Sequence, residues 1–283
     1  MNVLVSIDIE GIAGVVHPDQ SQRGGSDYEQ TRLLMTAEAN AAALGAFAGG
    51  ATRVLIADAH GDMRNLIAER LVPRVEIVSG NFRPSSMVQG VEESCEYALF
   101  VGYHARMGTV HGVLDHTHSG ASLLEVSVNG RALGEIGLNT LVCSSLGTSV
   151  ALVTGDAACC AEALEILPDV GTVVTKWGYG RYSARSLHPA EARRQIQEAA
   201  RLAVQSRHEL PQVARPPFEV RLRFQNAGMA DAAEIVPGFD RLDAFTIRFE
   251  AQEPMGVLRG RLAAQRLADA GIAAASVFAR ASR

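Results

Sequence analysis

Asp8 and Glu10 stand at i and i+2 in Ser6-Ile7-Asp8-Ile9-Glu10-Gly11, so an extended backbone presents both carboxylates on one side. Asp58 and His60 repeat the spacing in Ile56-Ala57-Asp58-Ala59-His60-Gly61, and His104 closes Val101-Gly102-Tyr103-His104. Each group ends a short apolar run. In an open parallel sheet, ligands bind beyond the carboxyl ends of the strands. Carboxylate oxygens and imidazole nitrogens gathered there suit zinc or a similar divalent ion. A single aspartate at a strand end is commonly a cap, and a single histidine a satisfied polar group. Convergence of the three groups is what points to a metal site. Gly11, Gly61 and Gly102 let the backbone turn sharply or approach an ion closely.

Downstream, His104, His111, His116 and His118, four of the eight histidines, fall in a glycine-punctuated stretch that ends at Gly120. Such sequence after a strand reads as an active-site loop, with His111 and His118 readable simply as solvated. Glu135, in Leu133-Gly134-Glu135-Ile136-Gly137-Leu138-Asn139, is open to two readings, because the first turn of a helix favours glutamate for dipole reasons alone.

The elements that position these groups are those of an α/β protein with a mainly parallel sheet flanked by helices. Expected strands are Asn2–Asp8, Thr52–Asp58, Val75–Ser79, Tyr97–Tyr103, Ser149–Thr154 and Val170–Lys176. Most are apolar on both faces, as buried parallel strands are. Ser26-Asp27-Tyr28-Glu29 reads as a capping box opening a long helix that ends near Gly49-Gly50. Asn129-Gly130 marks a hairpin over Leu123–Leu133, followed by a helix from about Glu135 to Ser145. A further helix starts at Pro189 and runs to about Arg207. Pro211, Pro216 and Pro217 then separate a catalytic domain, 1–210, from a smaller α+β domain, 211–283. The latter reads as strand Phe218–Gln225, helix Met229–Val236, strand Ala244–Glu250 and helix Glu253–Ala270.

The 283 residues are 47% hydrophobic and carry a net charge of −5, which disfavours nucleic acid and anionic membrane as partners. Cys95, Cys143, Cys159 and Cys160 form no metal or disulfide pattern and read as reduced, buried and cytoplasmic. Met1 to Glu10 lacks a basic segment before its apolar run, unlike a signal peptide. Of the 26 basic residues only Lys176 is lysine. It ends an expected strand, at the edge expected for the ligands, which suggests a compact cation contacting substrate or an oxyanion.

Five segments together resemble the DppA-type D-aminopeptidases, a family of zinc peptidases: Ser6–Gly14, Met35–Asn40, Asp58–Gly61, Gly102–Arg106 and Gly134–Asn139. The resemblance implies two zinc ions per subunit, with ligands at Asp8, Glu10, His60, His104 and Glu135. It implies a catalytic histidine at His116, with His118 a rival in a loop one residue longer than the family's and His111 a lesser one. It also implies a homo-oligomer of stacked rings, a decamer, acting on small peptides or amides. Five nitrogen and oxygen ligands exceed the needs of one tetrahedral zinc with an open position but suit two ions bridged by a carboxylate, for which Asp8 is the candidate. The same donors fit a metal-dependent hydrolase of a cyclic amide or phosphoester, or a non-catalytic metal-dependent binding protein. A cysteine hydrolase fits less well, because the cysteines lie in apolar stretches.

Overall fold

Apolar runs such as Val3–Ile7 and Val54–Ala57 are buried on both faces, as the interior of a parallel sheet requires. The computed structural model describes residues 1–281, with side chains over residues 1–271. In chain order the elements are β1 (Asn2–Ile7), α1 (Pro18–Ser21), α2 (Tyr28–Ala48), β2 (Arg53–Asp58), β3 (Glu76–Val78), β4 (Tyr97–Tyr103), β5 (Leu123–Val128), β6 (Arg131–Ala132), α3 (Glu135–Ser145), β7 (Ser149–Asp156), α4 (Ala157–Ile166), β8 (Gly171–Gly180), β9 (Ser183–Ser186), α5 (Pro189–Gln205), β10 (Phe218–Phe224), α6 (Ala227–Ala233), β11 (Asp240–Arg241), β12 (Thr246–Ala251) and α7 (Pro254–Ala281).

The larger sheet has the order β3-β2-β1-β4-β7-β8-β9 and is parallel except for the β8–β9 hairpin. Alternate residues of its strands face two different cores. Val3, Val5 and Ile7 pack with Met35 and Ala39 of α2 and Ile196 of α5. Leu4, Ala98 and Phe100 pack with Ile136 of α3 and Ala163 of α4. Helices α2 and α5 approach closely because Gly45 sits at the crossing, where a Cβ would lie 2.2 Å from the Gln197 carbonyl oxygen.

A second, antiparallel sheet runs β11-β12-β10-β5-β6. It draws strands from both sides of residue 210, because the hairpin β5–β6 pairs with β10 rather than with the parallel sheet. Its inner face packs on α6 and α7 and on Leu138 and Leu141 of α3. Helix α3 therefore lies between the two sheets, with Glu135 in its first turn.

Helix α2 begins one residue later than a Ser26–Glu29 capping box requires. Its N-cap is Asp27, without a side-chain cap, and Glu29 pairs instead with Arg32 at 2.9 Å. The strand expected to end at Lys176 continues to Gly180 and turns back as β9.

Candidate metal centre

Strands β1, β2 and β4 are in register, with Ile7 beside both Asp58 and Val101, so the chain leaves all three at one level. Past β1 the backbone stays tied to β4. The Asp8 N–H donates to the Val101 carbonyl and the Gly11 N–H to the Gly102 carbonyl, each at 2.8 Å. Glycine is required at this contact. A Cβ on Gly102, which has φ +66°, would lie 2.4 Å from the Asp8 carbonyl oxygen.

Three histidines reach the site with one ring nitrogen already spent on a backbone carbonyl. His60 Nε2–H donates to Ser21 at 2.8 Å, His104 Nδ1–H to Ala105 at 3.0 Å and His116 Nδ1–H to Leu114 at 2.9 Å. A carbonyl only accepts, so each neutral ring presents its other nitrogen as a lone pair. Those lone pairs face carboxylates. His60 Nδ1 lies 3.1 Å from Asp8 Oδ1 and 3.0 Å from Glu10 Oε2. His104 Nε2 lies 3.4 Å from both Asp8 Oδ2 and Glu135 Oε1, and His116 Nε2 is 3.7 Å from Glu135 Oε1. Asp8, Glu10, His104 and Glu135 are buried.

Acceptors converging on acceptors in a buried site call for positive charge. Among the described residues, His104 Nε2 and Glu10 Oε2 have no aligned hydrogen-bond partner, the latter despite its short approach to His60. Burial disfavours charge on His60, yet the neighbouring Glu10 and Asp8 carboxylates outweigh it and hold the ring well above its usual range. At His104 burial is likewise outweighed, chiefly by Glu135 and Asp8. Burial and the charge of Glu10 push Asp8 up. Two groups, Asp8–Glu10–His104 and His104–His116–Glu135, each bring their ligand atoms within 4.8 Å of one another. The donors are nitrogen and oxygen, the set that suits zinc.

A buried framework fixes these side chains. Tyr103 Oη meets Ser6 Oγ at 2.7 Å and accepts from Asn139 Nδ2 at 3.1 Å, linking β1, β4 and α3. Asp156, at the end of β7, accepts the Val113 N–H at 2.8 Å, and Arg181 pairs with Asp115 at 3.2 Å, so the histidine-rich loop is held at both sides. Three of its non-glycine residues, His111, Leu114 and His118, have φ between 54° and 60°. Strain of this kind persists only where surrounding contacts impose it.

The structure corrects two sequence expectations. Asp58 does not join the cluster: its carboxylate accepts the backbone N–H groups of Asn65 and Leu66 and the Asn65 side chain, and so caps a loop. Lys176 is fully buried and does not reach substrate space. Its Nζ donates to the carbonyls of Glu10, Ile12 and Val15, which uses all three N–H groups to pin the segment carrying Glu10. His118 lines the pocket, and its main-chain N–H donates to Glu135 Oε1 at 2.6 Å. Burial and the charge of Arg261 push its ring down to about 3. His111 is exposed at the far bend of the loop. The four thiols are buried, with Cys95 pushed up to about 11 and Cys160 to about 12, principally by that burial.

The cluster opens into a cavity of about 770 Å³. Helix α7 also lines it, through Arg261, Gln265 and Asp269, none of which the motifs singled out. The signal available was a charge interrupting the otherwise apolar stripe Val257, Leu258, Arg261, Ala264, Ala268.

Comparison with known proteins agrees with this geometry. The family model described as D-aminopeptidase, peptidase M55, matches residues 1–262. A D-aminopeptidase of Bacillus subtilis (strain 168) is 34% identical over 270 residues, covering 95% of this chain and 98% of that protein. The solved structure described as "Zn-dependent D-aminopeptidase DppA from Bacillus subtilis, a self-compartmentalizing protease" superposes with a TM-score of 0.91 at 34% identity, over 95% of this chain and 98% of that one.

Proposed function

This chain belongs to the D-aminopeptidase family, peptidase M55, and from that premise we propose that it is a binuclear zinc aminopeptidase releasing N-terminal D-amino acids from short D-peptides and D-amino acid amides. The observation that carries the proposal is the facing of imidazole lone pairs onto buried carboxylates. Asp8, Glu10, His60, His104 and Glu135 are the ligands. Asp8 would hold zinc together with both histidines, because Oδ1 faces His60 while Oδ2 faces His104.

Zinc bound there supplies a Lewis acid for the scissile carbonyl and a positive docking point for the substrate's amine. The protein supplies the rest. The Leu114 carbonyl fixes the His116 tautomer, so Nε2 is the free base directed at the cluster. That atom serves as nucleophile or as general base during attack on the peptide carbonyl. Glu135 accepts from the His118 main chain and so holds its carboxylate at the meeting point of His104 and His116.

A homo-oligomer, a ring-stacked decamer, is the proposed assembly, in keeping with the self-compartmentalizing description of the similar protease. Free, buried thiols support a reducing, cytoplasmic setting. Among the described residues no helix is long and apolar enough to cross a membrane. The test is a side-by-side assay of D-Ala-D-Ala, D-alanine amide and p-nitrophenyl phosphate on zinc-loaded protein. Turnover of the first two is the expected result, and turnover of the phosphoester in their place overturns the reading.

A further inference from the structure

Among the described residues, five arginines line the cavity, and four are engaged. Arg181 pairs with Asp115 at 3.2 Å and Arg23 with Asp62 at 3.3 Å, while Arg83 donates to the carbonyls of Val78 and Asp58. Arg266 lies over the Phe82 ring, 4.2 Å from its centroid. Arg261 differs. It is 2% exposed, and its hydrogen-bond partner is a neutral amide, Gln265 Oε1, reached by Nη1 at 2.6 Å.

Among the described residues, Arg261 Nε and Nη2 are buried without hydrogen-bond partners. These two nitrogens form one edge of the guanidinium, the edge whose parallel N–H bonds fit the two oxygens of a carboxylate. A buried guanidinium without a close ion-pair partner is unfavourable, and a ligand that brings a carboxylate to it offsets part of that cost. Burial also lowers the guanidinium to about 10, against the attraction of Glu135.

We propose that Arg261 is the carboxylate anchor of the site, gripping through Nε and Nη2 the terminal carboxylate of a short peptide whose amine lies at the Asp8–His104–Glu135 cluster. The inference rests on the aminopeptidase reading and deepens it. The preferred substrates are then short peptides with a free carboxyl end, ahead of amides of the same sequence. Helix α7 thereby becomes a specificity element, although it comes from the opposite end of the chain to β1.

The test compares D-Ala-D-Ala with its C-terminal amide, by turnover and by calorimetric binding, in the zinc-loaded protein and in Arg261→Gln and Arg261→Lys. Losing a charged bidentate contact is expected to raise KM for the free acid about 10- to 100-fold relative to the amide, with kcat changed far less. Arg261→Lys should recover part of the acid preference. Equal losses on acid and amide would overturn the anchor, as would a wild-type protein that does not distinguish them. If Arg261→Gln does not fold, the wild-type preference and Arg261→Lys decide the matter. Absence of turnover on both dipeptides refutes the aminopeptidase reading, and the binding comparison still decides Arg261.

Discussion

His104 and His116 stack face to face, with ring centroids 4.0 Å apart and planes 15° from parallel. Each gives its Nδ1–H to a main-chain carbonyl, and both Nε2 atoms point toward Glu135. The pair nevertheless differs in setting. His104 is buried, between Asp8 and Glu135, whereas the His116 side chain keeps 20% exposure at the cavity wall. That difference suits His104 to the proposed ligand role and His116 to the proposed catalytic one.

His116→Ala is therefore expected to lower kcat by about 10²- to 10⁴-fold while two zinc ions per chain remain bound. Steady-state kinetics with zinc analysis by mass spectrometry checks this. Loss of one zinc with the activity would make His116 a ligand instead.

Lys176 holds the segment after β1 from below, through three carbonyls. Lys176→Met leaves those oxygens without a donor and should cost about 3 kcal/mol or more of folding stability. Lys176→Arg forces a larger group into a fully buried place and should cost about 1–3 kcal/mol. Denaturant unfolding measures both. Unchanged stability with lost kcat would restore the substrate-contact expectation.

Glu38 gives a pH prediction. Its Oε1 accepts the Ala13 N–H at 3.0 Å, and burial lifts the carboxyl from 4.5 to about 7, against that hydrogen bond and the Lys176 charge. The folded state keeps a proton that the unfolded chain has released. This contribution is fully present below about pH 4.5 and is lost as pH rises through about 7. Glu38→Gln mimics the protonated form throughout. Relative to wild type it should gain on the order of 3 kcal/mol between about pH 5 and about pH 8. A difference independent of pH would contradict the assignment.

The proposed assembly gives a mass prediction. Sedimentation should return about ten times the chain mass of 30.1 kDa. A monomer at working concentration would remove the decamer.

Much of the candidate site was legible in the sequence because strand ends carry their own signal. Asp8, Glu10, His60 and His104 follow apolar runs that the register then aligns. Asp58 carried the same signal for a different purpose, since loop capping at Asn65 and Leu66 needs a carboxylate at that edge too. Lys176 was visible as an oddity of composition, but composition does not say that Nζ points beneath the Glu10 segment. The β5–β6 hairpin was visible from Asn129-Gly130, yet its partner β10 lies beyond the proline-marked boundary. Arg261 was missed because a charge interrupting the apolar stripe of α7 does not say which cavity that helix lines.

Hydrolysis of D-Ala-D-Ala and L-Ala-L-Ala, followed as zinc is titrated into metal-free protein, tests the central claim most directly. The expected result is cleavage of the D-dipeptide alone, rising to a plateau at two zinc ions per chain. Cleavage of neither dipeptide with zinc bound, or of the L-dipeptide in preference, would contradict it.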